Sequence, residues 1–126
     1  MTSLPLAAAA ALTVFIGIVH SWLGEVRLIT PMLAPGKRHS ILEKSEFARR
    51  VIRFAWHITS LAWWGFAAIL AAFATGPLAG HDRIVLIVIG ATFAISGLLT
   101  LVSSRGRHLA WPIFLAIGGL ALAPLF

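Results

Sequence analysis

Apolar residues along this chain fall into long unbroken runs, not into stripes or alternation. Four runs stand out, at 4–23, 54–73, 84–102 and 109–126, each 18 to 20 residues long. A hydrocarbon layer of about 30 Å takes about 20 apolar residues in a helix. Within the runs the only ionisable side chains are His20 and His57. A helix on the surface of a water-soluble domain is apolar along one stripe only, and strands of a membrane barrel alternate with period two. Neither pattern is present. In lipid a backbone must satisfy its own hydrogen bonds, so runs of this length predict helices. The expectation is an all-α, four-transmembrane-helix bundle forming one membrane domain, with spans at about 4–28, 48–75, 83–103 and 108–126.

Turn-forming residues separate the runs. Pro31, Pro35 and Gly36 follow the first, Thr75, Gly76, Pro77 and Gly80 the second, and Ser103, Ser104 and Gly106 the third. Pro112 lies near the start of the last helix, where a missing N–H costs little. In the connection 29–47, Ser40 followed by Glu43 matches a capping box. It predicts a short interfacial helix from Ile41, running through Phe47 and Arg50 into the second span. No positive segment precedes the first run, which therefore reads as a retained helix and not as a signal peptide.

Composition strengthens this picture and charge orients it. The chain is 60% hydrophobic and 11% charged, against about 45–50% and 25% in soluble domains. Ten Lys and Arg face four Asp and Glu, a formal charge of +6. Four spans place Arg27, Lys37, Arg38, Lys44, Arg49, Arg50, Arg53, Arg105 and Arg107 on one side and only Arg83 on the other. Short cytoplasmic loops carry such an excess. The expectation is a multi-pass protein of the cell inner membrane with both termini extracytoplasmic. Lys37, Arg38, Lys44, Arg49, Arg50 and Arg53 would then meet anionic lipid or a partner protein. No nucleic-acid recognition fold fits in so short a connection. Small residues at Gly90, Ala94 and Gly97, and at Ala116, Gly118 and Gly119, mark close helix packing. They suit a homo-oligomer or a subunit of a larger membrane complex as well as a single chain.

Chemistry is narrowed mainly by what the chain lacks. Without cysteine there is no disulfide, thiolate site or cysteine nucleophile. No G-x-S-x-G elbow, phosphate-binding loop, H-E-x-x-H or dinucleotide fingerprint is present. No two of the four acids share an intramembrane helix face. The balance points to a non-enzymatic accessory or ligand-binding protein. Ionisable residues inside a membrane are functional candidates by default, and they gather towards the basic side. Thr13, Gly17, His20, Gly24 and Arg27 share one helix face, as do Arg50, Arg53, His57, Ser60 and Trp64. Antiparallel packing brings His20 and His57 to similar depth. Four readings stay open. In the first, the imidazoles serve packing alone through hydrogen bonds. His20, Glu25, His57 and His108 supply ligand types for a transition metal. His20 and His57 suit the axial positions of haem b, with Trp64 as a wall. A small oligomeric proton-linked transporter would use imidazole titration. Glu25 is a candidate orienting partner for either histidine, and Arg53, four residues from His57, is an alternative partner for Glu25.

Overall fold

The structure, a computed structural model, describes residues 3–34, 36, 42 and 44–126. Every regular element among them is helical. Helices α1 (Leu4–Met32), α2 (Glu46–Ala74) and α3 (Gly80–Ser103) are each long and apolar enough to cross a membrane. Helix α4 (Ala110–Leu125) is apolar but shorter and closes in a 3-10 turn at Ala123–Leu125.

Helix α1 continues past the residue expected to stop it. Pro31 lacks an N–H and its ring crowds the carbonyl four residues back. The chain accommodates it with a π turn at Glu25–Ile29, in which the Thr30 N–H reaches back five residues to the Glu25 carbonyl. The wider turn lets the helix run on to Met32. At the start of α2 the reverse correction applies. Ser45 is extended, and its hydroxyl accepts the Ala48 N–H at 3.1 Å. This N-cap interrupts the continuous helix expected to lead from the connection into the second span. The expected capping pair Ser40 and Glu43, the helix start at Ile41, and Lys37 and Arg38 lie outside the described residues.

At the opposite end, Asp82 accepts the Ala79 N–H at 2.7 Å. It thereby places His81 and Asp82, which precede the span expected from 83, in the first turn of α3 with Arg83. Helix α3 ends in a Schellman arrangement: the Gly106 N–H donates to the Leu101 carbonyl at 2.9 Å and the Arg105 N–H to that of Val102 at 3.2 Å. The left-handed position in this turn is held by Arg105, with φ 50°.

Helix α1 packs along both α2 and α4, and α3 pairs with α4, whereas α2 and α3 scarcely touch. The order across the bundle is therefore α2–α1–α4–α3. Ser3 N–H to Ala74 O at 2.7 Å and Arg83 to Leu125 O at 3.3 Å tie one end. Leu6, Leu70, Leu86, Phe93 and Ile117 fill the interior. The small residues read from the sequence serve contacts within the chain: a Cβ on Gly118 would lie 2.9 Å from the Gly90 carbonyl oxygen and 3.0 Å from the Ala94 nitrogen. Gly119 takes no part, with nothing within 4 Å of its Cβ position.

Candidate functional site: a hydrogen-bonded chain beside an aromatic cavity

Helices α1 and α2 run antiparallel in a register fixed by two glycine seats. The indole of Trp64 lies where a Cβ on Gly17 would be, and that of Trp56 where one on Gly24 would be. Each indole N–H then reaches the backbone of α1: Trp64 Nε1 donates to the Val14 carbonyl at 3.3 Å and Trp56 Nε1 to the His20 carbonyl at 3.0 Å. Between the two seats this register brings His20 opposite Ser60 and Ser21 opposite both Ser60 and His57.

The result is a continuous polar chain. His20 Nδ1 lies 3.1 Å from Ser60 Oγ, and Ser21 Oγ donates to Ser60 Oγ at 2.9 Å. His57 Nδ1 is 3.0 Å from Ser21 Oγ, and its Nε2 is 3.1 Å from Glu25 Oε2. The other Glu25 oxygen accepts from Thr30 Oγ1 at 2.7 Å and pairs with Arg53 Nε at 3.2 Å. The π turn makes the Thr30 contact: residues five apart align in a π turn and diverge in an α-helix. The chain thus runs from Arg53, whose side chain is half exposed, through Glu25, His57, Ser21 and the fully buried Ser60 to His20.

His20 ends the chain at a cavity of about 530 Å³. Its ring stacks on Trp56, with centroids 4.3 Å apart and planes 7° from parallel, and meets Trp63 edge-on at 4.8 Å. Trp63 in turn contacts Phe114 of α4 at 5.3 Å. The walls are mostly apolar, with Ile16, Leu23, Trp56, Trp63 and Phe114 among them; Arg27, Thr100 and His108 add polar groups. His20 Nε2 takes no hydrogen-bond partner among the described residues.

Several expectations are met and others are redirected. Glu25 orients His57, and Arg53 reaches His57 through Glu25. His20 and His57 do approach, but two hydroxyls join them. His57 has both ring nitrogens engaged and does not line the cavity, so the pair does not present two open ligands to a haem. No three His, Asp or Glu side chains among the described residues gather as a metal site would require; His20, Glu25, His57 and His108 are not assembled into one. His108 does reach the cavity, while its Nδ1 accepts the Ala110 N–H at 3.2 Å. Trp64 sits in the Gly17 seat, 38% exposed, and its neighbour Trp63 forms the wall. On α3, Ser96, Thr100 and Ser103 donate to carbonyls four residues back in their own helix, and of these only Thr100 borders the cavity.

Sequence reading passed over Ser21 and Thr30. The signal available was positional: Ser21 adjoins His20, and Thr30 stands five residues from Glu25 just before a proline. Near the basic end of α2, Arg49 donates to the Leu42 carbonyl at 2.7 Å, and Arg50 pairs with Glu46. With Arg53, Leu33 and Phe54 these groups border a second hollow of about 440 Å³. Comparison with family models, with curated proteins and with solved structures finds no match for this chain.

Proposed function

We propose that this is a small, non-enzymatic, four-span protein of the inner membrane that binds a compact, ring-bearing, largely apolar ligand in the cavity between α1, α2 and α4. The observation that carries the reading is the cavity itself: its volume of about 530 Å³ falls in the range of small-molecule sites, about 300–1,000 Å³. Such sites combine apolar and aromatic walls with a few placed polar groups, as His20, Arg27 and His108 are placed here. In this reading α4 is the fourth span. The basic ends of α1 and α2 face the cytoplasm, and Arg49, Arg50 and Arg53 contact anionic headgroups beside the second hollow.

Protein purified in mild detergent, extracted with organic solvent and analysed by mass spectrometry should release one small molecule per chain or per oligomer. Val19→Trp, which fills the cavity from α1, should abolish that recovery while the protein remains folded by circular dichroism. Equal recovery from Val19→Trp and the parent protein would refute the cavity as the site. A reporter fused after Phe126 tests the orientation, and activity on the cytoplasmic side would overturn it.

A further inference from the structure

With Glu25 ionised and His20 neutral, the polar chain has two self-consistent arrangements of hydrogens, because Ser21 and Ser60 each carry a single hydroxyl proton. In one, Ser21 donates to Ser60, the two oxygens lying 2.9 Å apart. Ser60 then donates to His20 Nδ1, so a neutral His20 bears its proton on Nε2. Ser21 in turn accepts from His57 Nδ1–H, and His57, with a second proton on Nε2, forms an ion pair with the Glu25 carboxylate. In the other arrangement every bond is reversed. His20 Nδ1–H donates to Ser60, Ser60 to Ser21, and Ser21 to the bare Nδ1 of a neutral His57, whose Nε2–H donates to Glu25. His20 Nε2 is then an open lone pair.

The two arrangements differ by one proton at His57 and by the hydrogen on His20 Nε2. Starting from the second, a proton received at His20 Nε2 displaces the Nδ1 proton to Ser60. The Ser60 proton passes to Ser21, and the Ser21 proton to His57 Nδ1. One proton enters and one arrives, with the imidazolium formed against Glu25 at the half-exposed Arg53 end. We propose that the chain is a proton relay between the cavity ligand and Glu25, and that the ligand carries a ring hydroxyl, as a phenol or hydroquinone does. This rests on the ligand-binding reading above and adds the ligand's chemistry. A ring suits walls made by Trp56, Trp63 and Phe114. A hydroxyl suits a site that accepts a hydrogen in one state of the relay and donates one to the resulting oxyanion in the other. Arg27 and His108, the other cationic or titratable groups on the cavity wall, favour that anion.

The test uses full-length protein in nanodiscs with decylhydroquinone and its dimethyl ether as probes, read by tryptophan fluorescence and by ¹⁵N NMR of labelled histidines. Decylhydroquinone should bind about tenfold more tightly than the ether, since the ether covers the His20 nitrogen without giving it a hydrogen-bond partner. Its binding should move the signals of both His20 and His57, although His57 lies outside the cavity. In Ser60→Ala, and independently in Ser21→Ala, the His20 signals should still respond while those of His57 fall silent. Neither serine lines the cavity, so ether binding should be unchanged in both. Equal binding of the two probes, or a His57 response that survives both substitutions, overturns the relay and leaves the cavity reading standing. Binding of neither probe removes the ligand class and counts against the cavity reading as well.

Discussion

Gly24→Ala gives the most direct test of how α1 and α2 are held together. A Cβ at this position would overlap the Trp56 indole, and the indole has little freedom to retreat. It is stacked on His20 with centroids 4.3 Å apart, and its Nε1 is bound to the His20 carbonyl at 3.0 Å. Displacing it loses a hydrogen bond of about 1 kcal/mol and a ring contact of about 1 kcal/mol. Overpacking adds about 1–3 kcal/mol, while alanine returns about 1 kcal/mol of helix preference over glycine. The net expectation is a loss of about 2–4 kcal/mol. Gly65→Ala is the internal control. It lies on the same pair of helices, nothing stands within 4 Å of its Cβ position, and it should gain about 0.5–1 kcal/mol. Unfolding in mixed micelles with increasing sodium dodecyl sulfate, followed by circular dichroism, measures both. Trp56→Phe, which removes the part of the ring nearest Gly24, should recover part of the loss in the double variant, a coupling visible only between residues in contact. Equal stability of the Gly24→Ala and Gly65→Ala proteins would show that the seat is not where the structure places it.

Three further expectations follow from the same packing. Arg105→Gly relieves a left-handed backbone at a position that glycine adopts freely; it should stabilise the protein by about 1 kcal/mol in the same unfolding assay, and a loss would contradict the turn. Leu86→Arg places a charge in the fully buried interior and Ile87→Arg places it on an outer face that is 51% exposed. Insertion scales charge about 2.5–3.5 kcal/mol for arginine at a span centre, so both should lower membrane yield, and normal yield of Ile87→Arg would argue against lipid on that face. Gly118→Leu should separate α3 from α4, where the Gly90 carbonyl leaves no room; unchanged stability would contradict the close approach.

How much of this was legible beforehand depends on which interaction is asked about. Residue spacing along each helix is periodic, so the shared depth of His20 and His57 and the nearness of Glu25 and Arg53 could be read directly. Ser21 could not. On a single helix it points about 100° away from His20, and it becomes central only because it lies in the groove that α2 fills. The π turn was equally hidden, since Pro31 predicts disruption without saying whether the helix stops or widens. The choice between Trp63 and Trp64 turned on the side from which α2 presents itself, and that is set by the Gly17 and Gly24 seats. The hydroxyls of α3 stay out of the polar chain for a general reason: hydroxyls in a helix can satisfy themselves on the carbonyl four residues back, leaving nothing for a neighbour. That α2 and α3, adjacent in sequence, meet little beyond the edge of Phe66 on Phe93 has no local signal at all.

The two helix pairs solve the same problem by different means, and the difference bears on what the polar chain is for. Helices α3 and α4 associate through Gly90, Gly97 and Gly118, with Leu115 and Leu122 pressed against the glycines. Their one polar tie among the described residues is at the end, from Arg83 to the Leu125 carbonyl. Close packing of small residues is therefore enough to hold two helices of this protein together, and α1 and α2 have such seats as well, at Gly17 and Gly24. Interhelical hydrogen bonds in membranes contribute only about 0.6 kcal/mol each on average. Six linked polar side chains, one of them a carboxylate drawn against an imidazole, exceed what association requires, and each becomes a liability if its neighbour is removed. Stability alone does not account for that arrangement. A chain that begins at a half-exposed ion pair and ends on the wall of a cavity is accounted for if something in the cavity exchanges hydrogens with it.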